Sequence, residues 1–73
     1  MGEIKYEIIE EISAFSESTK GWTKELNLIS WNEREPKYDI RDWAPNKEKM
    51  GKGITLTREE LIKLRDVLNK IKL

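Results

Sequence analysis

The chain reads as an α+β protein with a ββββα protomer: an antiparallel sheet, then a C-terminal helix expected to join two copies into a homodimer. Three observations predict it. Lys37 to Trp43 alternates cleanly in polarity, polar clusters at Ser16–Gly21 and Asn32–Pro36 divide the chain into hairpins, and Thr57-Arg58-Glu59-Glu60 is a capping box opening an apolar stripe.

The first strand is read over Ile4 to Phe15. Ile4, Tyr6, Ile8, Ile12 and Ala14 fall at even positions, whereas Ile9 and Phe15 break the alternation and Glu10 falls on the apolar side. A strand broken in this way carries a bulge or a sharp bend. The spacing of Ile8, Ile9, Ile12 and Phe15 would also serve an amphipathic helix, and β-branched and aromatic content decides for strand. After the turn at Ser16–Gly21, Trp22 to Asn32 places Trp22, Lys24, Leu26, Leu28 and Ser30 on one face and Thr23, Glu25, Asn27, Ile29 and Trp31 on the other. Pro36 leads into the third strand, where Tyr38 and Ile40 share the core side and Lys37, Asp39, Arg41 and Trp43 the opposite one.

Pro45 to Gly53 reads as a flexible loop carrying Lys47, Lys49 and Lys52, with Gly51 and Gly53 allowing close backbone approach or a positive φ before the strand Ile54-Thr55-Leu56. It lacks the spacing and the Lys-Ser/Thr ending of a nucleotide-hydrolase phosphate loop. From Thr57 the helix places Leu61, Leu64, Leu68 and Ile71 at spacings of three and four, with Ile62, Val67 and Leu73 widening the stripe. So wide a band exceeds what one small sheet covers, and a second copy of the helix across a two-fold axis is the expected remedy; a monomer whose helix merely covers its sheet is the alternative.

With 73 residues the chain is read as one domain, 1–73. A chain of this size buries only about 60% of its unfolded surface. The absence of cysteine leaves neither disulfides nor thiolate metal sites to compensate, and fits a reducing, cytoplasmic location. Neither a signal peptide nor a membrane-spanning run is expected, since Glu10 and Glu11 interrupt the one apolar candidate, and Tyr6 at the sixth position does not suit lipidation at Gly2. Fourteen cations balance fourteen acids, which excludes a simple polycation. Their distribution is uneven: residues 1–19 set one cation against five acids, whereas 20–56 and 57–73 each carry an excess of two cations.

Catalysis finds little support. With no histidine and no cysteine, the commonest general base, the thiol nucleophile and most transition-metal ligands are missing. Glu59 and Glu60 belong to a helix first turn, and Asp39 and Asp42 lie on opposite strand faces, so no carboxylate dyad is formed. The chain is therefore read as no enzyme, with no cofactor and no metal. Its aromatics say more. Trp22 shares parity with Leu26 and Leu28 and reads as core or rim, whereas Trp31 and Trp43 end their strands on the opposite parity, near Lys37 and Arg41. Exposed rings beside cations make a platform on which unpaired bases stack while the cations follow the phosphates.

At these residues the chain resembles a known family. Asp39-Ile40-Arg41-Asp42-Trp43, then Lys52-Gly53-Ile54-Thr55-Leu56-Thr57 and Glu59-Glu60, is similar to the single-stranded-DNA-binding core of the transcriptional positive cofactor four family. Lys20-Gly21-Trp22-Thr23-Lys24-Glu25-Leu26-Asn27 and Ser30-Trp31-Asn32 resemble its small bacterial YdbC-type members most closely. The resemblance implies a dimer joined through the helices, two curved sheets grooved for unpaired DNA, and site positions at Trp31, Arg41, Trp43 and Lys52. It departs from the coactivator form in having one aromatic, Trp43, where that form has two, and in lacking its Ser-rich and Lys-rich tail. The expected function is single-stranded DNA binding with little sequence preference, in transcription, replication or repair, with Trp31 and Trp43 stacking and Lys24, Lys37, Arg41, Lys49 and Lys52 pairing with phosphates. Leu61, Leu64, Leu68 and Ile71 are the expected dimer contacts. A protein-interaction module receiving an acidic peptide or transcription machinery, and single-stranded RNA binding, stand as alternatives.

Overall fold

The computed structural model describes residues 4–73, so the reading of Gly2 lies outside the described part. Four antiparallel strands form an open curved sheet and one helix follows. β1 (Tyr6–Glu17), β2 (Thr23–Trp31), β3 (Lys37–Trp43) and β4 (Met50–Leu56) lie in sequence order across the sheet, and α1 spans Arg58–Leu68. The expected ββββα order holds. The β2–β3 hairpin closes through Asn32 and Glu33, both at positive φ (52° and 63°), with the Arg34 N–H donating 2.9 Å to the Trp31 carbonyl. This turn heads a longer connection, since β3 begins only at Lys37 and the nearest ladder pair is Ile29 with Lys37. The first turn needs Gly21, at φ 85° and against the Pro45 ring.

β1 explains its own broken alternation. Its pairing with β2 shifts register between Ile8 and Glu10, between Glu11 and Ser13, and between Ala14 and Ser16, so Ile9, Ile12 and Phe15 fall where one residue is inserted. Each insertion bends the strand and increases its twist. The sheet consequently curls until Tyr6, which pairs with Trp31 at one end, lies 5.6 Å from the ring of Trp43, whose partner Thr23 is at the other end of β2.

This curl relocates the core. The expected core side, with Tyr38 and Ile40, is only half-buried, whereas Asn27, Ile29, Asp39 and Trp43 on the opposite, concave side are fully buried. Local alternation assigns residues to faces; only the long-range wrap of β1 decides which face is enclosed. On the other side, Phe15, Leu26, Ile40, Leu61, Ile62, Leu64 and Leu68 line an apolar groove of about 490 Å³, and α1 has no buried residue.

Two boundaries are corrected. β4 starts at Met50, so Gly51 and Gly53 belong to a strand rather than to a flexible loop, and neither has a positive φ. Close approach is the reason for Gly53: a Cβ there would overlap the Arg41 Cβ and the Ile40 carbonyl. α1 begins as expected, with the Thr57 Oγ1 accepting from the Glu60 N–H at 3.1 Å and the Thr57 N–H donating to Glu60 Oε1 at 2.9 Å. It ends at Leu68, however, so Ile71 lies beyond the helix. Ile71 is 46% exposed, and a terminal turn without packing is not held by propensity alone.

Candidate nucleic-acid interface

The concave face is organised around Asp39, a carboxylate without solvent exposure. Arg41, two residues along the same strand face, donates to it twice, from Nε at 2.7 Å and from Nη2 at 2.8 Å, while Thr55 Oγ1 donates at 3.1 Å. The remaining guanidinium nitrogen donates 3.1 Å to the Gly51 carbonyl, and the group lies 5.0 Å from the centroid of Trp31. The expected guanidinium-indole pair therefore exists, but with Trp31 rather than its strand neighbour Trp43. Gly53 has no side chain because the Arg41 stem occupies that space.

A second cluster lies at the other end of the face. A short 3-10 turn, Pro45–Lys47, puts Asn46 and Lys47 at positive φ (57° and 54°) and brings the Lys47 ammonium 3.2 Å from Glu25 Oε1, 3.9 Å from Glu11 and 5.9 Å above the Trp43 ring. Glu25 also accepts from Thr23 Oγ1 at 2.6 Å and from Asn27 Nδ2 at 3.2 Å. Burial raises the Glu25 pKa, but the hydrogen bonds from Thr23, Asn27 and Lys47, with the charge of Lys47, outweigh it and hold the carboxyl below its ordinary value. Between the two clusters sits the ring of Tyr6, 5.7 Å from Trp31 and 5.6 Å from Trp43, tilted by 42° and 44°. The face is thus an aromatic slot with a cation at either end, and Tyr6 fills it.

The family model for Transcriptional Coactivator p15 (PC4) matches residues 18–67. The chain belongs to that family. An uncharacterized protein of Treponema pallidum (strain Nichols) is 54% identical over 68 residues, covering 93% of this chain and 80% of its own. The PC4 match takes in β2, β3, β4 and most of α1 and starts after β1, so the bulged strand and its Tyr6 lie outside it.

The positions singled out from the sequence of this PC4-family chain do not all converge. Trp31 and Arg41 meet on the concave face, and Lys37 lies on the same side opposite Ile29, exposed. Lys49 and Lys52 are exposed at the β3–β4 end. Lys24 is on the helix side, paired at 3.1 Å with Asp42 across the strands. Two expectations of exposure are corrected. Trp43 is 1% exposed because β1 folds Tyr6 over it, and Arg41 is bound by Asp39 and Gly51 with 14% of its side chain exposed. Sequence reasoning missed Tyr6, Glu25, Asn27 and the anchoring role of Lys47. The i, i+2 spacing of Asp39 and Arg41 gave their shared side and not their pairing, and the contacts of Tyr6 and Lys47 depend on curl and loop geometry that no local pattern encodes.

Among the described residues no cluster of three or more acidic, cysteine or histidine side chains is arranged to hold a metal, and no described helix is long and apolar enough to cross a membrane.

Proposed function

We propose that this chain is a non-catalytic, cytoplasmic protein that binds single-stranded DNA as a homodimer, stacking bases in the concave slot while exposed lysines pair with phosphates. The slot carries the reading: Tyr6 lies between Trp31 and Trp43, in tilted contact with both, and it is the first residue of an edge strand, so a base could take its place beside either indole. A base that displaces Tyr6 reaches both indoles, so Trp43 joins the site when Tyr6 moves. Arg41 holds Trp31 in place, and Lys37, Lys49 and Lys52 supply phosphate contacts, whereas Lys24, paired with Asp42 on the helix side, does not face the slot.

The homodimer is supported by what the protomer leaves uncovered. It exposes 6096 Å², where a compact monomer of 8.7 kDa exposes about 4,700 Å². Its radius of gyration is 13.4 Å against about 11 Å for a compact domain of this length. The apolar groove along Leu61, Leu64 and Leu68 is the surface a second copy would cover, with Ile71 at its margin.

Intrinsic tryptophan fluorescence tests the DNA reading, titrated with a short oligo-thymidine and with a duplex of equal length at two salt concentrations. Quenching by the unpaired strand alone, weakening with salt as counterions are released, is the expected result. No response to either strand would turn the reading towards a protein-contact surface.

A further inference from the structure

Lys47 holds a backbone conformation that its residue type disfavours. It and Asn46 are consecutive non-glycine residues in the left-handed region, at φ 54° and 57°, although glycines stand close by at 51 and 53. Such strain persists only where surrounding contacts hold it, and it gathers at functional sites. Here the contacts are ionic. The Lys47 ammonium lies 3.2 and 3.3 Å from the two oxygens of Glu25 and 3.9 Å from Glu11, with 28% of the lysine side chain still exposed. Glu25 does not depend on this lysine. Thr23 Oγ1 donates to its Oε2 and Asn27 Nδ2 to its Oε1, so each carboxylate oxygen keeps a neutral donor when the ammonium leaves. Glu11 loses less still, because 69% of its side chain is exposed. Lys47 is therefore unlike Arg41, whose departure would strand a carboxylate that has no solvent exposure.

Trp43 supplies the other partner. The Lys47 ammonium lies 5.9 Å from the centroid of its ring, and the Tyr6 ring lies 5.6 Å from the same ring. A nucleotide whose base takes the place of Tyr6 beside Trp43 has its phosphate one sugar away, so that phosphate and the lysine's flexible four-carbon arm meet at one indole. Phosphate competes well for such a cation, because a strand that gains it releases condensed counterions. We propose that Lys47 is a phosphate-binding residue held in check: Glu25 and Glu11 clasp it in the free protein, and it passes to the phosphate of the nucleotide stacked on Trp43 when a strand binds. This rests on the single-strand reading and adds a carboxylate gate to it. The two acids that orient the lysine also compete with the strand for it.

The test compares Lys47→Gly with the wild type in fluorescence-anisotropy titrations of a labelled oligo-thymidine 12-mer across a range of salt concentrations. Glycine suits the left-handed backbone at this position, so the variant deletes the ammonium and relieves the loop. Affinity is expected to fall several-fold, and the slope of log affinity against log salt to become shallower by about 0.7, the value for one phosphate contact on a single strand. An unchanged slope in the folded variant would overturn the inference and leave strand binding intact, because a lysine that only supports the loop releases no counterions from the strand. Glu25→Gln opens the gate and is expected to tighten binding about threefold in the wild type and far less in the Lys47→Gly background. An equal gain in both backgrounds would overturn the gate by assigning the effect to general repulsion between Glu25 and the strand. Should Lys47→Gly not fold, Glu25→Gln decides alone: tighter binding supports the clasp, and unchanged affinity overturns it. Failure of the wild type to bind would remove both readings together.

Discussion

Asp39 accepts three hydrogen bonds without solvent contact, so its partner cannot be removed freely. Arg41 reads from the sequence as a surface cation whose loss would cost affinity and leave the fold intact. In the structure its removal strands a buried carboxylate. Arg41→Ala is expected to destabilise the folded state by about 3–5 kcal/mol, measured by urea denaturation, and an unchanged midpoint would count against the pair. Glu25 makes a second prediction. Its folded pKa lies below the unfolded value of about 4.3, so its contribution is fully present above that value and is lost as pH falls through the folded pKa. The acid limb of the stability curve below about pH 4.3 should flatten in Glu25→Gln, as read by thermal melts against pH. The shared strand face of Asp39 and Arg41 was legible in the sequence, whereas their pairing and its burial were not, because alternation gives the side and not the partner. The reach of Lys47 to Glu25 was hidden too, since it depends on two consecutive left-handed residues in a loop without glycine.

The elements themselves were largely readable. The Thr57 capping box sets the start of α1, and Thr57→Ala is expected to cost about 1 kcal/mol, a fall of roughly 4–8 °C in Tm for a domain of this size. β3 matches its expected span because one clean alternation defines both ends. β4 does not, because two glycines read as a loop when their strand role comes from Arg41 on the neighbouring strand. Gly53→Ala is accordingly expected to destabilise by about 1–3 kcal/mol or to shift the β3–β4 register, visible as altered backbone amide shifts by NMR. In β1 the irregular pattern pointed to a bulge, but the register of three insertions is set only by the pairing with β2.

Over the whole molecule, face assignment succeeded and burial did not. Trp31, Arg41 and Trp43 do share a side, yet their exposure follows from a curl that brings the ends of β2 together, a property of no single segment. The helix side remains open, and the proposed homodimer can be tested there. Leu64→Asp places a charge in the apolar groove and is expected to halve the mass measured by light scattering; an unchanged mass would place the contact elsewhere. β1 also lies at the rim of the sheet, and its offsets fall three residues apart. A net charge of zero gives molecules little mutual repulsion, and an even ladder on that rim would invite further chains to add themselves. The offsets put its outward amides and carbonyls out of step with any regular incoming strand, so the same irregularity that encloses Tyr6 also guards the protein against self-templated fibre growth.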